Sequence, residues 1–249
     1  MPEHLIWLLI AAFMVGLAKG GLTAVGSLAV PLLAIFMNPI EAAAFILPIF
    51  IATDIFAIWL YRKEYSGRNI AIMVPSVLFG VLLATLMVPY TPESMLLMIT
   101  GGIGLWYCLK SWLGSGQSAE PREAEVGRGI FWGTITGITT FITHSGAPPM
   151  QAYLLPQKLP RLVFAGTMVI IFAIGNLSKL PGYYALGLFH DIQVGLVGGL
   201  LVIGIIGTAV GKAIVTRLTD QGYIRVIEVM LLILSVVLFF KAFSLIFSA

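Results

Sequence analysis

Gly16-Leu17-Ala18-Lys19-Gly20-Gly21-Leu22-Thr23 stands in the middle of an apolar run covering about residues 5–37. The run is long enough to cross a bilayer, which takes about 20 apolar residues in a helix. It is broken at its centre by a lysine, two glycines and a threonine, with Gly26-Ser27 just beyond. A second run, 129–156, is broken in the same way by Thr143-His144-Ser145-Gly146-Ala147-Pro148-Pro149. Irregular backbone at membrane depth survives only where protein or a water-filled cavity satisfies its polar groups. Each run is therefore either one interrupted span or a hairpin that turns inside the membrane.

The surrounding composition fixes the solvent. Of 249 residues, 59% are hydrophobic and 10% charged, and the mean hydropathy is +1.02. A soluble domain carries roughly 25% charged residues, and one of this size has too much surface to hide so much apolar area. The chain reads as an all-α polytopic membrane protein. Further apolar blocks lie at 42–61, 70–89, 94–112, 162–180, 191–212 and 223–247. They leave no room for a soluble catalytic domain. Cys108 is the single cysteine, so no intrachain disulfide forms and a multi-cysteine zinc site is excluded. The net charge of +3 comes from membrane loops, and orientation explains it better than nucleic acid. Met1-Pro2-Glu3-His4 lacks the basic region of a signal peptide, so the first apolar segment is expected to be retained. Nothing calls for a cofactor or a bound metal, and the expected partners are a small solute and the lipid bilayer.

The polar stretch 114–128 divides the chain into halves, 1–113 and 129–249, that read as repeats. Gly16 and Gly137 are 121 apart, as are Pro39 and Pro160, and the same offset carries the loop at Gly67–Asn69 onto Leu188–His190. If each broken run is one crossing, the loops hold eight Lys or Arg on one side and five on the other, with Lys19 left out as intramembrane. If each is a re-entrant hairpin (5–37 and 129–156), the split becomes eleven against two, the two being Lys179 and Lys241. The second pattern obeys the positive-inside rule. It puts the linker in the cytoplasm and both termini outside. It leaves three full crossings per half, an odd number, so the halves are inverted relative to each other. Such repeats hold a transporter's site between them near the midplane. Arms of about 13 residues reach about 20 Å, past the middle of a hydrocarbon core about 30 Å thick.

The polar residues inside the spans are the expected site. An intramembrane lysine is costly and marks function by default; Lys19 either contacts an anion, snorkels to water or pairs with Asp54. Gly20, Gly21, Gly26 and Ser27 let backbone approach a ligand, and a return arm from Val25 to Met37 would turn its helix N-terminus to the same place. The second tip offers His144, Ser145 and Gly146, with a helix restarting through Pro148-Pro149 and Gln151. Asp54 and Asn176 occupy matching places in the two halves. A proton could ride on Asp54 or His144, or Asp54 could be a structural partner.

The stretches Gly16-Leu17-Ala18-Lys19-Gly20-Gly21 and Val30-Pro31-Leu32-Leu33 resemble the first motif of the TauE/SafE family of sulfite-exporter-like permeases. His144 to Pro149, Tyr153-Leu154-Leu155-Pro156, Leu159-Pro160-Arg161 and Asn176 to Pro181 are similar to its second half. Thr23 and Ala24 stand where glycines are common in the family. The resemblance implies a bacterial inner-membrane transporter for sulfite or another small sulfur-containing anion such as sulfoacetate. The expected function is alternating-access transport of such an anion. A passive anion channel and an intramembrane enzyme using His144, Ser145 and Asp54 are the rivals. A homodimer and proton coupling stay open.

Overall fold

The computed structural model describes residues 5–33, 39–87, 90, 92–113, 121–189 and 194–247. Every regular element among them is helical: α1 (Leu5–Lys19), α2 (Thr23–Gly26), α3 (Ala29–Leu33), α4 (Pro39–Tyr61), α5 (Gly67–Met87), α6 (Glu93–Leu113), α7 (Val126–Thr143), α8 (Ala147–Leu154), α9 (Arg161–Ala185), α10 (Val194–Arg217) and α11 (Asp220–Phe247). Five of them, α4, α5, α9, α10 and α11, are long and apolar enough to cross a membrane. Large apolar side chains such as Leu82, Leu86, Phe240 and Phe247 face outward. Water would not tolerate that surface, and acyl chains do.

Local chemistry sets the helix ends. The Ser66 and Thr219 hydroxyls accept hydrogen bonds from the Asn69 and Gly222 N–H groups, capping the starts of α5 and α11. Pro148 and Pro149 sit in the first turn of α8, where a missing N–H costs nothing. Helix α7 stops at His144, whose φ is 54°. Pro181, in contrast, does not end α9, which runs on to Ala185. The apolar block 162–180 is therefore too short as a reading of that helix. A proline in a membrane helix is tolerated when neighbours satisfy the freed carbonyl.

Hydrogen bonds tie four connections to one end of the bundle, here called the linker end. Arg68 donates to the Ala124 carbonyl at 3.0 Å, and the Arg122 N–H to the Pro156 carbonyl at 3.0 Å. Asn69 and Gln157 exchange side-chain hydrogen bonds at 2.8 and 3.2 Å. Arg161 pairs with Asp220 at 2.9 Å. Helix α7 thus leaves this end, turns at His144, and returns through α8 and a 3-10 turn at Leu155–Gln157. The other hairpin comes from the opposite end. Its tip at Gly20-Gly21 reaches Tyr61 and Tyr223, at the linker-end limits of α4 and α11. The His144 tip reaches Ala43, near the far end of α4. The two tips pass each other.

The return arm of the first hairpin differs from expectation. It is not one helix from Val25 but two short ones, α2 and α3, and residues 34–38 lie outside the described residues. The Gly20, Gly21 and Leu22 N–H groups donate to the Gly16, Ala18 and Leu17 carbonyls, closing the end of α1. Gly21 sits at φ +117°, which a side chain would resist.

Packing between the halves is reciprocal. Helix α1 lies along α10 and α7 along α5, while α4 lies against α9 and α6 against α11. A Cβ on Gly16 would stand 2.1 Å from the Gly204 carbonyl and 2.8 Å from the Gly207 Cα. One on Gly137 would stand 2.2 Å from the Val77 carbonyl and 2.8 Å from the Gly80 Cα. Tyr61 donates to the Gly20 carbonyl as Tyr183 does to the Phe141 carbonyl. The hairpins and second helices therefore correspond at offsets of 121 or 122. The α5 and α10 positions correspond at 127, so the proposed match of Gly67–Asn69 to Leu188–His190 is six residues short, and His190 itself lies outside the described residues.

Candidate functional site

The return arms of the two hairpins touch. Ser27 donates from its hydroxyl to the His144 carbonyl at 3.2 Å, and the Gln151 amide to the Thr23 hydroxyl at 3.0 Å. Beside these contacts the two long helices α4 and α9 meet through Asp54 and Asn176. The Asn176 amide donates to Asp54 Oδ2 at 2.8 Å. Asp54 Oδ1 takes Lys19 Nζ at 2.5 Å, so the lysine ends its own helix inside an ion pair.

The chain of contacts continues on the other side of Asn176. Its Oδ1 accepts from Lys179 Nζ at 2.9 Å, and Lys179 also reaches Thr140 Oγ1 and His144 Nδ1, each at 3.0 Å. Three acceptors around one Nζ match the three N–H donors of an ammonium. His144 Nε2 lies 3.1 Å from the Ala43 carbonyl, which can only accept. The ring therefore carries its proton on Nε2 and turns a bare Nδ1 to Lys179. Phe50 stacks on that ring at 4.5 Å and 4°, and Lys19 Nζ lies 4.9 Å from the Phe50 centroid.

These groups surround a small, deeply buried cavity of about 30 Å³ lined by Lys19, Thr23, Ser27, Thr140, His144 and Asn176, with Phe50 and Phe172 as its apolar walls. By volume it holds about two waters. Lys19, Asp54, His144 and Asn176 are each no more than 5% exposed, so neither end of the bundle reaches them. Two cations and one carboxylate in such a place form an expensive arrangement, because each ion lost its hydration on burial.

The structure thus gathers Lys19, Ser27, His144 and Asn176 around the cavity, with Asp54 behind Lys19 and Asn176 and Gln151 behind Thr23, neither of them lining it. Ser145 is fully buried at the second tip, and Gly146 starts α8 against Thr140 and Phe172. Gly20 and Gly21 do not line the cavity; two tyrosines hold their carbonyls, Tyr61 at 2.5 Å and Tyr223 at 2.6 Å. The Gln151 Oε1 is buried with no partner among the described residues.

Sequence reasoning missed Lys179. It counted this residue among the loop charges, yet Lys179 has no exposure and sits at the centre of the network. With Lys179 removed, the charge split becomes eleven against one, Lys241. The signal was present: Lys179 follows Asn176 by three residues, which puts both on one helix face. Thr140, 121 residues after Lys19, was missed as well.

A helical bundle with an apolar outer surface and a buried, charged pocket where two broken hairpins meet defines the class: a polytopic membrane protein. The family model of the sulfite exporter TauE/SafE matches residues 8–238, and the chain belongs to that family. Membership makes it a membrane transporter. No curated protein and no solved structure matches the chain.

Proposed function

We propose that this protein is a secondary transporter for a small sulfur oxyanion, sulfite or an organosulfonate such as sulfoacetate, in the bacterial inner membrane. The observation that carries this reading is the Lys19–Asp54–Asn176–Lys179–His144 network around a buried cavity between the two hairpins. Buried cations of this kind attract an anion, and hydroxyls of Ser27, Thr23 and Thr140 supply directional contacts. The halves act as inverted repeats with the linker end in the cytoplasm, an arrangement supported by the reciprocal helix packing and by the loop charges. Parting one hairpin from its neighbours opens the cavity to one side, and parting the other opens it to the opposite side. The burial of these groups, each no more than 5% exposed, favours a carrier over an open channel.

The substrate takes Lys19 from Asp54. In the closed state the carboxylate is the lysine's counter-ion, so the incoming anion competes with an internal one. The test is counterflow in proteoliposomes. Labelled sulfite should accumulate transiently against excess internal sulfite, and uptake should saturate. Flux that never saturates and shows no counterflow would make the protein a channel.

A further inference from the structure

We infer that the site is built to hold one unit of negative charge, so that a singly charged anion binds alone and a doubly charged anion binds only with a proton on Asp54. This rests on the transporter reading of the same site and goes on to set the charge of what it carries. The charge of each group is inferred from its partners. Lys179 Nζ lies within 3.0 Å of three groups that can each accept from an ammonium, and we take it as charged. Lys19 Nζ is ion-paired with Asp54 Oδ1, and Asp54 Oδ2 accepts from the Asn176 amide, the surroundings of an ionised carboxylate. His144 is neutral, with its proton directed to the Ala43 carbonyl. Two cations and one anion leave the pocket at +1.

Among the described residues no further ion pair includes these groups. Asp54 faces Lys19 from α1 and Asn176 and Lys179 from α9, and His144 comes from the second tip. From α10, Lys212 lies over the Tyr61 ring at 3.4 Å, with the Glu64 carboxylate acting on it. Among the described residues the remaining ion pairs, Arg161–Asp220 and Arg225–Glu228, lie at the ends of helices. A buried surplus charge is unfavourable until it is matched. A monoanion on Lys19 makes the loaded pocket neutral. A dianion leaves it at −1 unless a proton arrives. The acceptor for that proton is Asp54 Oδ1, the oxygen that loses Lys19 to the substrate; Oδ2 keeps Asn176, and the new O–H can donate to the anion. For sulfite, whose two ionised forms coexist near neutral pH, the species carried is equivalent to hydrogensulfite by either route.

The test uses two tetrahedral probes of similar size, methanesulfonate and sulfate, with affinities measured by calorimetry on the purified protein at several pH values between mildly acidic and mildly basic. Methanesulfonate affinity should be flat with pH. Sulfate affinity should fall about tenfold for each pH unit, the signature of one proton taken up on binding. Asp54→Asn raises the pocket to +2, so sulfate should then bind without pH dependence and more tightly than methanesulfonate. If that variant does not fold, the wild-type pH series decides alone. Sulfate binding as tightly as methanesulfonate, with no pH dependence in the wild type, overturns the charge rule while leaving an anion site in place. Failure of both probes and of sulfite to bind overturns the charge rule and the transporter reading together.

Discussion

At the level of single residues, Lys19 has two roles that a simple deletion would confuse. It balances Asp54 in the closed state, and it is the proposed contact for the anion. Lys19→Met removes both, leaving a buried carboxylate without its cation, at a cost of about 3–5 kcal/mol in stability. The double variant Lys19→Met with Asp54→Asn removes the pair together, and its melting temperature should recover. Affinity should not recover with it: losing one charge-assisted contact costs about 1.5–3 kcal/mol, or about 10- to 150-fold in Kd. A folded double variant that binds sulfite as tightly as wild type would take Lys19 out of the site. Lys19→Arg should fall between, because a planar fork replaces a compact ammonium poorly beside Phe50. Lys19 was legible because a charge in the middle of an apolar run has no bland explanation. Lys179 was not, because Pro181 directly behind it reads as a helix stop. The packing of α9 against α4 and α5 carries the helix past Pro181 and the lysine indoors.

At the level of elements, α1 approaches α10 and α7 approaches α5 as closely as backbone allows, through glycine on both sides. Gly16→Ala and Gly137→Ala each drive a Cβ into a carbonyl of the facing helix, at 2.1 and 2.2 Å. The helices must then separate, at a cost of about 1–3 kcal/mol. Because the two contacts repeat one geometry, the losses should match. Gly198→Ala meets nothing within 4 Å and should be neutral or slightly stabilising, since alanine is the better helix former by roughly 1 kcal/mol. Thermal melting in detergent measures all three. Unequal losses at Gly16 and Gly137 would mean that the resemblance between the halves is superficial. The blocks, their breaks and the hairpin turns followed from hydropathy, because water and lipid sort residues by polarity alone. The fragmentation of the first return arm did not. There Gly26 lies close against Ala18 and Phe50, and a single sequence carries no record of which face meets which neighbour.

At the scale of the whole molecule, the proposed topology is tested by reporters fused after residue 120 and at Ala249. The first should report the cytoplasm and the second the outside; the same side for both would end the inverted arrangement. Hairpin closure is tested by joining its return arms. With Cys108→Ser as background, Thr23→Cys and Gln151→Cys bridged by a short thiol cross-linker should arrest transport, and a cleavable linker should restore it on reduction. The exchange of partners between halves has a further consequence for biogenesis. When the ribosome has finished the first half, α1 and α5 lack their main partners, since α10 and α7 are still unmade. The newborn half must wait in the bilayer as an open, protease-sensitive intermediate, with Lys19 and Asp54 holding each other until the rest arrives. Cutting the gene in the linker should therefore yield two fragments that are each degraded when made alone and that rescue one another when made in the same cell.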